Sequence, residues 1–246
     1  MEFSAMTDVG RQRQNNEDNY FVYQNEKLFG GMVADGMGGH NAGEVASKMA
    51  VDLIKHYIIC NYDPSMDYME ITEMVRTAFQ IANREIYRGS QTEEHKGMGT
   101  TATLALVYDK KLIISHIGDS RCYAFSDGTI KQLTNDHSFV GELLRSGQIT
   151  EHDAQNHPNK NMITRALGVE AFAKADINIS AYNGETVLLC SDGLTNMISD
   201  RQIAEILMTS NNPDSAIHKM IELANKKGGN DNITVVVFGN LKGEAE

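Results

Sequence analysis

Residues 29–58 read FGGMVADGMGGHNAGEVASKMAVDLIKHYI. The apolar run from Phe29 to Ala34 stops on Asp35, and Gly36, Gly38 and Gly39 then ask for a tight turn. Beyond the turn, Ala42, Val45, Ala46, Met49, Ala50, Leu53, Ile54, Tyr57 and Ile58 keep the three-four spacing of one buried helix face. A second helix follows the Asp63-Pro64 break, with the stripe Ile71, Met74, Val75, Ala78, Phe79, Ala82 and Ile86. Methionines in such a stripe read as core filling. The stretch therefore sets a unit: a strand, a carboxylate at its end, then helices that arrive as a pair.

Outward from that unit the texture is β-rich. Thr101 to Tyr108, Leu112 to Ile117 and Arg121 to Phe125 read as an antiparallel meander, with Asp109-Lys110 and Asp127-Gly128 as turns. Residues 137–170 are polar and irregular, and a connection that long inside a domain is functional or mobile. Thr186 to Cys190 is a buried strand leading to Asp192. Helices are expected near 199–209 and 213–226, and Ile233 to Phe238 closes as a last strand just after Asp231. Paired helices argue against a doubly wound parallel sheet and for an α+β architecture with antiparallel sheets. A chain of 246 residues can bury one sizeable core, so residues 1–240 are read as a single domain and 241–246 as a polar tail.

Composition removes several functions. The formal charge is 22 − 33 = −11, and nothing basic enough to neutralise a phosphate backbone is visible, so no nucleic-acid partner is expected. Cys60, Cys122 and Cys190 are too widely spaced for a disulfide framework or a zinc signature, and suit a reducing cytoplasm. The N-terminus lacks the pattern of a signal peptide, and no apolar segment is long enough to span a bilayer. There is no P-loop and no nucleophile-elbow serine.

Chemistry is concentrated in short acidic patches: Glu17-Asp18, Asp35-Gly36, Asp119 within Gly118-Asp119-Ser120-Arg121, Ser191-Asp192-Gly193 and Gly229-Asn230-Asp231-Asn232. Each Asp-Gly pair alone is an ordinary turn. Together they are carboxylates beside apolar strands, which repel on convergence unless cations sit between them. Hard divalent ions held by oxygen, Mg²⁺ or Mn²⁺, answer that need. Asp35 is the expected bridge between two ions, Asp192 and Asp231 are further ligands, and the Gly36 carbonyl is an added oxygen. Glu17 and Asp18 would orient waters on the metals. Such a pair of ions acidifies a water and clamps an in-line displacement at phosphorus. Arg13, four residues before Glu17, suits two phosphate oxygens, or else pairs with an acid. His40 could give a proton to the leaving alkoxide.

The motifs Thr7-Asp8-Val9-Gly10, Arg13 through Asp18, Asp35 through His40, Gly99-Thr100-Thr101, Gly118 through Arg121, Ser191 through Leu194 and Asp231-Asn232 stand in the order and spacing of a known family. Over essentially the whole chain they resemble the type 2C metal-dependent protein phosphatases, most closely the compact bacterial serine/threonine enzymes. The resemblance implies a four-layer α/β/β/α sandwich of two antiparallel sheets flanked by helix pairs. It implies hydrolysis of phosphoserine and phosphothreonine, with phosphorylated proteins as partners and a bacterial serine/threonine kinase as the opposing activity. Asp18 then acts largely through water, Asp119 joins Asp192 in a third, weaker ion site, and residues 137–170 form a flap beside the site. Eukaryotic members carry a histidine two residues after the bridging aspartate. Here that position is Met37 and the histidine is His40.

The expected mechanism is direct attack on phosphorus by a metal-bridging hydroxide, without a phosphoenzyme, in a monomeric cytoplasmic protein. A nuclease or pyrophosphatase with a two-metal site is the rival enzyme class, and a degenerate phosphatase that only captures phosphoproteins is the rival binding module. A third alternative is a family member tuned to one regulatory partner, such as an antagonist of an anti-sigma factor.

Overall fold

Strands read ATLALVY and ITVVVFG because they are covered on both faces, and every residue of each is buried. Such continuous apolar runs mark the centre of a layered sandwich. The computed structural model of the chain describes residues 2–38, 42–155 and 157–241. In chain order the elements are β1 (Glu2–Asp8), β2 (Asp18–Gln24), β3 (Leu28–Met37), α1 (Ala42–Asn61), α2 (Tyr68–Gly89), β4 (Gly99–Thr100), β5 (Ala102–Tyr108), β6 (Lys111–Ile117), β7 (Arg121–Ser126) and β8 (Thr129–Gln132). They continue as α3 (Phe139–Arg145), α4 (Glu151–Gln155), β9 (Asp176–Ala181), β10 (Thr186–Cys190), α5 (Asp192–Thr195), α6 (Asp200–Thr209), α7 (Pro213–Lys226) and β11 (Ile233–Gly239).

Two antiparallel sheets result. One has the order β1-β11-β10-β7-β8, and the other β2-β3-β5-β6-β9 with β4 beside β3. The α1/α2 pair packs on the second sheet through residues such as Ile54, Ile58, Ile71 and Ile86. The α6/α7 pair packs on the first through Ile203, Leu207, Ile217 and Met220. Between the sheets lies a third apolar layer containing Val33, Ala105, Leu189, Val236 and Phe238. The α/β/β/α sandwich expected from the sequence is the fold observed.

The helix starts follow local chemistry. Asp67 and Glu70 form a capping box at α2, and Ser199 and Gln202 form one at α6. Asn212 caps α7, whose first residue is Pro213.

Three expectations need correction. The segment 101–125 is not one meander: β5 and β6 pair in one sheet, whereas β7 pairs with β10 and β8 in the other. The reason lies in Gly118, whose N–H donates to His137 Nδ1 at 3.1 Å and whose carbonyl accepts from the His137 N–H at 2.7 Å. Those bonds replace a hairpin turn and pass the chain between layers through Asp119. The strand 29–34 runs further, to Met37, because Gly36 and Met37 pair with Thr100 and Gly99. Within the irregular stretch 137–170, Ser138 caps the short helix α3 by accepting from the Gly141 N–H. The tail 242–246 lies outside the described residues.

Candidate metal centre

Antiparallel pairing places Asp18 directly opposite Asp35 on β2 and β3. Like charges in that position destabilise a sheet. The other sheet brings two more acids to the same rim. Asp192 opens α5 where β10 ends, and Asp231 stands two residues before β11, the strand paired with β10. A Cβ at Gly193 would lie 2.0 Å from the Asn232 carbonyl, so glycine there lets the α5 turn close onto the loop carrying Asp231. Asp119 arrives on the crossover from β6 to β7. A Cβ at Gly36 would meet the Gly43 carbonyl at 2.0 Å, which fixes the close packing of β3 on the start of α1.

The electrostatics show that these groups crowd one another. Burial is the largest cause of every upward shift. It pushes Asp18 up to about 7, opposed by hydrogen bonds from Ser191 and Thr234 and aided by the charges of Asp192 and Asp231. Asp119 rises to about 8 through burial, then Asp192 and Asp136. Asp192 rises to about 6 through burial, then Asp231, opposed by contact with Asp35 and by the Asn196 amide. Asp35 stands well above the ordinary 3.8, through burial and then the charges of Asp18, Asp192, Asp119 and Asp231.

A hard dication fits this donor set. The buried oxygens Asp18 Oδ1, Asp119 Oδ1 and Asp192 Oδ1 have no hydrogen-bond partner. Unpartnered buried carboxylate oxygens are costly, and a cation would satisfy them. Among the described residues no group of three or more Asp, Glu, His or Cys side chains is arranged so that it could hold a metal ion as it stands. Protein donors hold the other oxygens instead. Ser191 Oγ donates to Asp18 Oδ2 at 2.7 Å, Asn196 Nδ2 to Asp192 Oδ2 at 2.9 Å, and Arg13 Nη2 to Asp231 Oδ2 at 2.8 Å.

The remaining candidates fall as follows. Arg13 reaches the centre but is spent on Asp231, its side chain half-exposed. Glu17 is raised by burial, with Arg13 opposing, and its N–H donates to Asn232 Oδ1 at 2.8 Å. Gly36 sits in β3 and donates its N–H to the Glu17 carbonyl at 3.1 Å. His40 lies outside the described residues. Cys190 is fully buried and its thiol is pushed up to about 12, a poor nucleophile.

Sequence reasoning quoted Thr100, Thr101, Ser191 and Asn232 within its motifs but gave them no role, and the structure makes them the polar frame of the site. Thr101 Oγ1 accepts from the Asp35 N–H at 2.9 Å, and Thr100 Oγ1 donates to the Asp35 carbonyl at 2.9 Å. Asn232, almost fully buried, donates from Nδ2 to the carbonyls of Val9 at 3.0 Å and Asn15 at 2.9 Å. With its bond from Glu17, it clamps both ends of the loop that carries Arg13. The available signal was adjacency, since Ser191 and Asn232 flank Asp192 and Asp231.

Residues 9–234 match the sequence profile of the family described as Protein phosphatase 2C. The chain is 42% identical to the serine/threonine phosphatase stp of Listeria innocua over 94% of this chain and 92% of that one. The solved serine/threonine phosphatase of S. agalactiae superposes with a TM-score of 0.89 at 37% identity, covering 96% of this chain and 98% of that one. The catalytic domain of the serine/threonine protein phosphatase PstP, solved in complex with two manganese ions, gives a TM-score of 0.83 at 37% identity, with 96% of each chain covered. The chain belongs to the protein phosphatase 2C family. It is accordingly an enzyme, a protein phosphatase, and the nuclease and pyrophosphatase readings are set aside. No helix among the described residues is long and apolar enough to cross a membrane.

Proposed function

We propose that this phosphatase hydrolyses phosphoserine and phosphothreonine in proteins with Mn²⁺ or Mg²⁺, opposing a serine/threonine kinase, as a cytoplasmic monomer. The supporting observation is the convergence of Asp18, Asp35, Asp119, Asp192 and Asp231 on one rim, with buried oxygens left unpartnered. Asp35 and the Gly36 carbonyl would hold the two core ions. Asp192 and Asp231 complete the set, and Asp18 acts through water. Asp119 with Asp192 would hold the third, weaker ion, in keeping with the rise that the Asp192 charge causes in Asp119. Bound there, the ions supply an acidified water for direct attack on phosphorus and neutralise the phosphate oxygens.

The chain's own groups do the rest. Ser191, itself held by a bond from the Thr234 N–H at 2.9 Å, fixes the rotamer of Asp18. Thr100 and Thr101 fix the backbone at Asp35. Arg13 leaves Asp231 and presents its fork to two phosphate oxygens. His40 carries the proton for the departing serine or threonine oxygen. No cysteinyl phosphate forms, because Cys190 is buried as the neutral thiol.

The test sets phosphothreonine peptide, p-nitrophenyl phosphate, single-stranded DNA and pyrophosphate side by side, with and without EDTA. Turnover of the first two alone, lost in EDTA, is the expected result. Acid-quenched single turnover should trap no protein-bound phosphate. Asp192→Ala turning over at the wild-type rate would remove the proposed site.

A further inference from the structure

A groove of about 680 Å³ runs between α2 and residues 171–177, and no residue of the metal centre lines it. Tyr87, Ala173 and Ile177 give it apolar surface, and Arg76, Arg84 and Lys174 give it three cations. No carboxylate lines it, in a chain with 33 acidic against 22 basic residues. A second groove of about 470 Å³ shares Arg76, Lys174, Ala175 and Ile177 with the first and adds one carboxylate, Asp176, which is paired with Arg165 at 2.9 Å.

Two further observations point to an occupant. Phe172, at the groove, is 94% exposed, the most exposed of the large apolar side chains among the described residues. A phenyl ring left in water forfeits burial that a partner could provide. The walls are also pre-formed. Asn83 Nδ2 donates to the carbonyls of Glu170 at 3.1 Å and Ala171 at 3.2 Å, while its Oδ1 accepts from the Gly168 N–H at 2.8 Å. At the other end Arg165 donates to the Lys174 carbonyl, and to Asp176 Oδ1 at 2.9 Å. A rigid groove spends little free energy on ordering itself when a ligand enters.

We propose that this groove docks an acidic linear segment bearing a bulky apolar side chain, carried by the phosphoprotein partner away from its phosphorylated residue. The identity of the carrier rests on the function proposed above; the chemistry of the segment rests on the groove. The apolar side chain covers Phe172 and Tyr87, and the carboxylates meet Arg76, Arg84 and Lys174. Arg76 and Arg84 each have a glutamate at 3.1 Å, Glu73 and Glu85. Exposed pairs of that kind are weak, so the guanidiniums can exchange partners. A chain at −11 repels acidic segments in general, and this cationic rim reverses the repulsion locally.

The test uses fluorescence anisotropy with a pool of short labelled peptides of Asp and Glu, each containing Phe, Leu, Ile or Tyr. Lysine-for-acid counterparts are the controls. The best acidic members are expected to bind the manganese-loaded protein with a Kd of about 10–100 μM. The triple variant Arg76→Glu/Arg84→Glu/Lys174→Glu, and separately Phe172→Ser, should each weaken binding about tenfold. Both should turn over p-nitrophenyl phosphate at the wild-type rate, which shows that they fold. Affinity retained in the charge-reversed variant, or no acidic member binding below about 1 mM, overturns the proposal. Equal binding of the lysine counterparts overturns it as well. Peptide binding by a protein that fails to hydrolyse phosphothreonine supports the groove and counts against the proposed function alone.

Discussion

Arg13 Nη2 donates to Asp231 Oδ2 at 2.8 Å across 218 positions of sequence. The guanidinium stands where positive charge is wanted, among Asp231, Glu17 and Asp35. Arg13→Ala should raise KM for a phosphothreonine peptide about tenfold or more, the worth of a charge-assisted phosphate contact, with a smaller change in kcat. Manganese affinity, measured by calorimetry on the metal-free variant, should not fall, since Asp231 loses a competing cation. Weaker manganese binding would place Arg13 in support of the metal ligands instead.

Asp35 is buried among the charges of Asp18, Asp192, Asp119 and Asp231, and both burial and those charges raise it well above the ordinary carboxylate value. Asp35→Asn removes that conflict and should raise the melting temperature in EDTA. For a chain of this size each kcal/mol relieved is worth roughly 2–4 °C. The same substitution should abolish the rise that manganese gives the wild type, and nearly all p-nitrophenyl phosphate turnover. A variant melting below wild type in EDTA would show that the carboxylates are not in conflict.

Stability of the metal-free protein should depend on pH in a defined direction. Asp18, Asp119 and Asp192 have folded values of about 7, 8 and 6 against an ordinary 3.8. Between those limits the native chain holds more protons than the unfolded chain. Their contribution is therefore full below about pH 3.8 and is lost as pH rises to about 8. Thermal melts in EDTA should show this fall, and Asp119→Asn should flatten its upper part. Saturating manganese should reverse the slope, because the ions bind the ionised forms.

Asn232 holds the Arg13 loop through the carbonyls of Val9 and Asn15 and the N–H of Glu17. Asn232→Ala leaves those groups without partners and should cost about 1–3 kcal/mol of stability. Its kinetic mark should be a raised KM, because Arg13, proposed above to bind the phosphate, loses its placement. An effect on kcat alone, with KM unchanged, would move Asn232's influence to the metal ligands.

The parts of the fold that were readable share one property: their signal is local. The stripes of α1 and α2, the apolar runs at β5, β10 and β11, and the carboxylates at or beside strand ends all lie within short windows. What escaped depends on distant partners. The strand β1 reads EFSAMTD and β2 reads DNYFVYQ, half-buried mixtures that become strands because β11 and β3 lie alongside. The move of β7 to the other sheet hangs on His137 bonding Gly118. Ser191, Thr101 and Asn232 were invisible as framework, since a lone polar residue has no period and its partners lie up to 223 positions away.

The strand β11, made last among these elements, lies between β1 and β10 rather than at a sheet edge. A growing polypeptide on the ribosome holds four of the five acids well before Asp231 exists, and its first strand must wait for the final one. The set of acids proposed above is therefore completed only as the last of these strands is made. A product that stops before Asp231 lacks both a central strand of one sheet and one acid of the proposed centre, and it should not turn over phosphoproteins.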